Sequence, residues 1–237
     1  MNCLLFENED DLKNLPIADH RAQHIKKYLK AKTGDILYVA IADKFLAKAT
    51  IEIKDTHYSF DICEKLPCPK LRNIELAIAL CRPQIAQKIL FDCASIGIKK
   101  VNFYIASKSE ASYANSTLYT ENLYKNYLIA GAEQACNCYL PKFEIHSSLE
   151  DFLLKLEEKP DCLRIAPDIY ETKGDFSEIS SLSTYKNAIL VMGGERGFNN
   201  LERNLLREHS FSLALMRERV LRTDTALVYA LALLHKI

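Results

Sequence analysis

Ile189-Leu190-Val191-Met192-Gly193-Gly194-Glu195-Arg196-Gly197-Phe198 joins an apolar run to a glycine-rich loop. With Ala188, its first residues form a short continuous apolar run of the kind found in a strand buried on both faces. The glycines stop that run. Asn199 or Asn200 then starts a helix expected to reach about Glu208. A buried strand that turns through glycines into a helix is a unit of a parallel α/β sheet. The chain has seven glycines in 237 residues, less than half the usual share of ~7%. Three of the seven, Gly193, Gly194 and Gly197, fall within five residues. Glycine lets backbone N–H and C=O groups approach a ligand closely. In open α/β sheets ligands sit beyond the carboxyl ends of the strands, which is where this loop begins.

The same pattern extends outward in both directions. Phe211 to Leu215 reads as another strand, followed by the charged loop Met216-Arg217-Glu218-Arg219-Val220-Leu221-Arg222. Thr223 or Thr225 is expected to cap a last helix running to His235. Upstream, Ile74 to Leu80 reads as a strand, apolar but for Glu75. Pro83 opens a helix with Ile85, Ile89, Leu90, Cys93 and Ile96 on one face, and Gly97 ends it. Val101 to Ile105 and Leu163 to Ala166 are further strands, and a helix is expected from about Leu118 to Cys136.

Before Pro67-Cys68-Pro69 the pattern is different. Ile36 to Ile41, Phe45 to Ile53 and Tyr58 to Cys63 are closely spaced strands, with turns at Asp43-Lys44 and Asp55-Thr56. Asp19 is expected to cap a helix through the basic segment to Lys32, with Gly34 as its stop. Proline on both sides of one residue favours an extended linker. The expected division is therefore a small β-barrel domain over 1–69 and an α/β domain over 70–237.

Lys+Arg and Asp+Glu both total 31, so the formal net charge is zero, but the local distribution is uneven. Arg21, Lys26, Lys27, Lys30 and Lys32 stand in a stretch with no acidic residue. Six of the ten arginines fall between Arg196 and Arg222. Two basic clusters, one rich in the planar guanidinium fork that fits phosphates and base edges, point to nucleic acid. The longest apolar run, Ala226 to Leu234, has nine residues, whereas a membrane span needs ~20. The first residues lack a basic n-region and a long apolar h-region. The eight cysteines form no disulfide framework and no zinc-ligand spacing. These features predict no membrane, no metal and a reducing cytoplasmic setting.

The glycine loop is not a phosphate clamp. No Gly-Lys-Ser/Thr follows it, and the spacing is not that of a dinucleotide site. A backbone-lined loop without such a clamp suits a ligand with adenine, a polar tail and no phosphate. S-adenosylmethionine has that make-up.

At these residues the chain resembles a known family. Gly193-Gly194-Glu195-Arg196-Gly197-Phe198 is similar to the G-P-E-G-G-F loop of the RsmE family, and Arg219-Val220-Leu221-Arg222-Thr223-Asp224-Thr225-Ala226 to its R-I-L-R-T-E-T-A segment. Glu133-Gln134 with Pro141, Arg82-Pro83-Gln84, Ile96-Gly97-Ile98, and His24 with Tyr28-Leu29-Lys30 and Gly34-Asp35 resemble further motifs in the same order. The resemblance implies a SPOUT-class methyltransferase with a parallel sheet and a C-terminal trefoil knot, preceded by a small PUA-like barrel that binds RNA. It implies a homodimer that uses S-adenosylmethionine to methylate N3 of one uridine in the decoding region of 16S rRNA, as free rRNA or in the small ribosomal subunit.

On that basis the cofactor is expected around Ala166, Met192, Gly193, Gly194, Gly197, Leu215, Arg217, Val220 and Leu221. RNA contacts are expected from Arg21, His24, Lys26, Lys27, Lys30 and Lys108. Uridine N3 must lose its proton, and an arginine beside O2 or O4 would stabilise the resulting anion. Arg222 is the first candidate and Arg219 the second. For the proton, Glu195, Asp224 and water remain open. Two alternatives stay beside this reading: a SPOUT methyltransferase acting on a ribose 2′-hydroxyl or on tRNA, and a non-catalytic RNA-binding or ribosome-assembly protein. The second is raised by Arg196 and Arg217, which stand where the family pattern has glycine and would be strained if either position required φ > 0.

Overall fold

A computed structural model describes residues 2–181, 185–216 and 219–234. Five strands build the first sheet: β1 (Leu4–Phe6), β2 (Leu15–Pro16), β3 (Ile36–Ile41), β4 (Phe45–Ile53) and β5 (His57–Leu66). Their order is β1-β3-β4-β5-β2. The pairing is antiparallel except between β1 and β3. Asp43, at φ 57°, makes the tight turn between β3 and β4, a conformation that aspartate tolerates better than most residues. Phe6, Ile25, Ile41, Ile51 and Phe60 fill the core.

Asp19 does cap α1 (His20–His24), accepting from the Arg21 N–H at 2.8 Å. The helix does not continue to Lys32. It widens into one π-helical turn at Ile25–Leu29 and closes at Lys30, which is left-handed at φ 51°. Gly34 instead turns the chain at φ 95° and donates to the Ile51 carbonyl, aligning β3 beside β4.

Residues 67–71 are mostly irregular and lead to the second sheet. Its elements, in chain order, are β6 (Arg72–Ala79), α2 (Pro83–Ile96), β7 (Ile98–Tyr104), α3 (Thr117–Thr120), α4 (Tyr124–Gln134), β8 (Lys142–His146), α5 (Leu149–Leu154), β9 (Cys162–Pro167), α6 (Phe176–Ser180), β10 (Asn187–Met192), α7 (Asn200–Glu208), β11 (Ser212–Ala214) and α8 (Thr223–Leu233). The strand order is β11-β9-β10-β6-β7-β8, all parallel.

Alternate residues of the central strands serve opposite faces. Ile74, Leu76 and Ile78 of β6, with Leu190 and Met192 of β10, pack with α2, α4 and α8. Ala77, Ala79, Ile189 and Val191 pack with α5 and α7. This is the period-2 rule applied to a sheet covered on both sides.

The expected helix from Leu118 to Cys136 is two helices, because Asn122 adopts φ 56° between α3 and α4. Arg222, not Thr223 or Thr225, occupies the cap position of α8 and makes no side-chain cap bond. The expected end of that helix, His235, lies outside the described residues. β1, β2, β8, α5 and α6 were not anticipated. All are six residues or shorter.

The two sheets meet at the end of α4. The Glu133 carbonyl accepts from Cys3 N–H at 3.0 Å, and its carboxylate accepts from Leu5 N–H at 2.9 Å. Burial pushes that carboxyl above its ordinary value. Asn137 continues the seam by donating to the Pro69 carbonyl at 2.8 Å.

Candidate active site at the carboxyl edge of the sheet

A cavity of about 420 Å³ opens at the carboxyl ends of β9 and β10, beside the segment after β11. That is within the ordinary size of a small-molecule site. Three segments wall it: Pro167 to Tyr170, Met192 to Phe198, and Met216 with Arg219 to Leu221. Thr223 and Ala226 of α8 close one side.

The glycine loop has a physical reason at two of its positions. Gly197 is left-handed at φ 62° and donates to the Gly194 carbonyl at 2.9 Å, closing a turn. A Cβ on Gly193 would lie 3.0 Å from the Gly197 carbonyl carbon and 3.1 Å from the Phe198 nitrogen. The two arms of the loop therefore touch backbone to backbone. Behind it, the Tyr104 hydroxyl donates to the Met192 carbonyl at 2.9 Å. Asn199 and Glu202 form a capping box at the start of α7, and Glu202 also accepts from Ser107 N–H at 3.3 Å. The loop is thus held by β7 on one side and α7 on the other.

Arg196 is not among the left-handed residues; Gly197 takes that conformation in its place. The strain that arginine would bring to the loop is absent at 196, and its side chain is exposed. Arg217 lies outside the described residues.

The structure brings together Met192, Gly193, Gly194, Glu195, Gly197, Arg219, Val220 and Leu221 around one cavity. It does not bring Ala166, which is fully buried in β9 and packs toward α5 and α7; Pro167 and Asp168 line the wall instead. Leu215 is also displaced from the lining. Its N–H donates to the Gly174 carbonyl and its carbonyl accepts from Phe176 N–H, so it forms a seam with the start of α6. Met216 takes its place at the cavity.

Arg222 is 75% exposed in its side chain and stands at the start of α8, outside the cavity lining. Its Nε lies 3.6 Å from Asp224 Oδ1. Asp224 is buried and accepts from Lys88 Nζ at 2.8 Å. Lys88 holds the Asp224 carboxyl below the usual carboxylate range.

The basic segment of the first sheet divides by role. Arg21 turns inward: it pairs with Asp19 at 2.8 Å, donates to the Leu5 carbonyl at 3.0 Å and covers the Phe6 ring at 4.5 Å. Its guanidinium is thereby committed to the fold. His24 leans on Tyr28 with ring centroids 5.2 Å apart, and Lys27 lies 5.1 Å from the same ring. Lys26, Lys27, Lys30 and Tyr28 are exposed. Lys108 is also exposed, far along the chain from them, on a groove shared with Arg196 and Tyr170.

Sequence reasoning missed Asp168, Tyr170, Arg203 and Lys88. The available signal for the first two was their place directly after an apolar strand at a ligand-binding edge. Arg203 and Lys88 sit on helices, and only tertiary packing assigns their partners. Among the described residues no group of three or more His, Cys, Asp or Glu is arranged to hold a metal, and no helix is long and apolar enough to cross a membrane.

Residues 68–235 match the RNA methyltransferase domain family. The chain is 30% identical over 231 residues to ribosomal RNA small subunit methyltransferase E 1 of Borreliella burgdorferi, covering 97% of this chain and 95% of that one. It is 29% identical to ribosomal RNA small subunit methyltransferase E of Treponema pallidum, covering 98% and 90%. Among solved structures, the ribosomal RNA small subunit methyltransferase E of Neisseria gonorrhoeae bound to S-adenosylmethionine superposes with a TM-score of 0.80 at 15% identity, over 98% of this chain and 96% of that one. A methyltransferase of Legionella pneumophila in complex with the same cofactor gives 0.82 at 21% identity, over 99% and 97%. The chain belongs to the RsmE family of ribosomal RNA small subunit methyltransferases.

Proposed function

We propose that this protein transfers a methyl group from S-adenosylmethionine to N3 of a uridine in 16S rRNA, in the decoding region of the small ribosomal subunit. The observation that carries the reading is the loop in which Gly193 and Gly197 meet backbone to backbone at the mouth of the cavity. A loop whose arms leave so little room for a Cβ presents peptide groups, not side chains, to a ligand. Met192, Met216, Leu221 and Ala226 give the cavity apolar surface, while Glu195 and Arg219 give it charge of both signs. That donor set fits an adenosine joined to an amino acid, and no lysine lines the cavity among the described residues.

When bound, the cofactor supplies an electrophilic methyl on a sulfonium. The protein's part is at the nucleophile. Loss of the N3 proton puts negative charge on O2 and O4 of the uridine. Arg219 lines the cavity, and Arg222 stands at the positive end of α8. Either guanidinium favours the anion at those oxygens. Asp224 is buried, paired with Lys88 and outside the cavity lining, so proton acceptance falls to Glu195 or to water.

In the same reading residues 1–69 form a PUA-like RNA-binding domain and residues 70–237 a SPOUT domain with a C-terminal trefoil knot. His24, Lys26, Lys27, Lys30 and Lys108 contact RNA. Two copies pair as a homodimer in the cytoplasm. Arg196 does not argue for a spoiled cofactor loop, since it avoids the left-handed conformation. Calorimetric titration with S-adenosylmethionine tests the reading. Saturable binding at one site per chain is expected, and no detectable binding at millimolar cofactor overturns it.

A further inference from the structure

α7 grips the turn that follows β9. Arg203 Nε donates to Asp168 Oδ2 at 2.5 Å, and Arg203 Nη2 lies 3.4 Å from Oδ1. Both side chains are almost completely buried, with 6% and 3% exposure. Asp168 Oδ1 also accepts from the N–H groups of Ile169 at 2.7 Å and Tyr170 at 3.2 Å. The Asp168 N–H donates to the Ala214 carbonyl of β11. Arg203 Nη1 reaches Asn200 Oδ1 at 3.3 Å. The Arg203 guanidinium lies 5.1 Å from the centroid of the Tyr170 ring. One helical turn on, Arg207 pairs with Glu171, so two residues spaced i, i+4 on one face of α7 hold the same turn.

The position of this pair is what makes it more than a structural contact. The segment from Asp168 to Tyr170 is one wall of the cavity, and the glycine loop that leads into α7 is another. A bidentate arginine–carboxylate contact fixes geometry as well as contributing energy. With Asp168 also organising two backbone N–H groups, the orientation of the whole wall depends on one carboxylate and one guanidinium.

We infer that Asp168 and Arg203 form a positioning pair that sets the width of the cofactor cavity, presenting Tyr170 as its aromatic wall. The inference rests on the cavity being the S-adenosylmethionine site. Arg203 is outside the cavity lining, and the Asp168 carboxylate is taken up by Arg203 and two backbone N–H groups, so the pair governs cofactor affinity and not the chemical step.

The test uses the full chain in two measurements. Hydrogen exchange on the cofactor-free protein reads the Ile169 and Tyr170 amides. In Arg203→Met they are expected to exchange at least about tenfold faster, because local opening loses its opposing contact. Calorimetry and steady-state kinetics read the cofactor. Its Kd and KM are expected to rise about tenfold while kcat stays within about twofold, the signature of lost binding without lost transition-state contact. Arg203→Lys keeps the charge and loses the fork, and should fall between. If Arg203→Met does not fold, Asp168→Asn and Arg203→Lys must show the same changes in smaller measure. Unchanged amide exchange and a Kd within about twofold of wild type in a folded variant overturn the inference, as does a fall in kcat at unchanged Kd. A wild-type protein that binds no cofactor would defeat the functional reading, while exchange at Ile169 and Tyr170 would still judge the pair.

Discussion

Lys88 Nζ lies 2.8 Å from Asp224 Oδ2, joining the middle of α2 to the first turn of α8. The bond crosses between two helices on the same face of the sheet and ends beside Arg222, the candidate for charge stabilisation. Asp224 is buried, sits where a helix N-terminus favours negative charge, and is held below its usual carboxylate range, chiefly by the Lys88 hydrogen bond. A depressed folded value means the carboxylate contributes stability above the unfolded value of ~3.9 and loses it as pH falls through the lower folded value. Asp224→Asn should therefore lower the thermal midpoint at neutral pH, and the gap to wild type should close on acidification below about pH 4. A gap that is constant from neutral pH to pH 3 would remove the pair as its source.

The glycines of the loop should differ from one another. Gly194 has Ala79 Cβ at 3.4 Å from its would-be Cβ, an ordinary contact, so Gly194→Ala should leave cofactor affinity within about twofold of wild type. Gly193→Ala forces the 193 and 197 backbones apart and should weaken S-adenosylmethionine binding by more than about tenfold. Gly197→Ala must take φ 62° and should cost ~1–2 kcal/mol of stability. Calorimetry and chemical denaturation on the three variants separate these outcomes.

The cluster of three glycines after an apolar strand located the cavity, because glycine scarcity elsewhere made the cluster conspicuous. The alternation from Ile74 to Leu215 fixed the parallel α/β class, since strands buried on both faces leave continuous apolar runs. Which loop residue is left-handed was not legible: the choice between Arg196 and Gly197 depends on the turn closed by Gly197 onto Gly194. The displacement of Ala166 and Leu215 from the cavity depends on where each strand ends to within one residue, finer than periodicity can resolve. Arg21 carried a charge pattern suggestive of RNA, yet it pairs with Asp19 at the cap of its own helix, and its contacts with Leu5 and Phe6 arise only when β1 folds beside that helix.

Gly131 tests the packing behind the site. α2 and α4 cross so closely that a Cβ on Gly131 would lie 2.3 Å from the Phe91 carbonyl oxygen and 2.8 Å from Ala94 Cβ. Ser95 Oγ donates to the Gly131 carbonyl at the same crossing. Gly131→Ala should destabilise the fold by roughly 2 kcal/mol or more despite its better helix propensity. Denaturant unfolding checks this, and a stabilised variant would contradict the crossing geometry.

Arg222 is exposed and outside the cavity lining, so its removal should spare cofactor binding. Arg222→Ala is expected to lower kcat about 10²-fold, as loss of one preorganised donor to a developing anion does. Cofactor affinity should be retained. Equal loss of both would place Arg222 on the cofactor and not on the uridine.

The decisive measurement incubates the protein with small ribosomal subunits or 16S rRNA from a strain lacking the enzyme and methyl-labelled S-adenosylmethionine, then identifies the labelled nucleoside. Label is expected in N3-methyluridine at a single site in the decoding region. Label in a ribose methyl, label in tRNA but not in rRNA, or no label at all would contradict it.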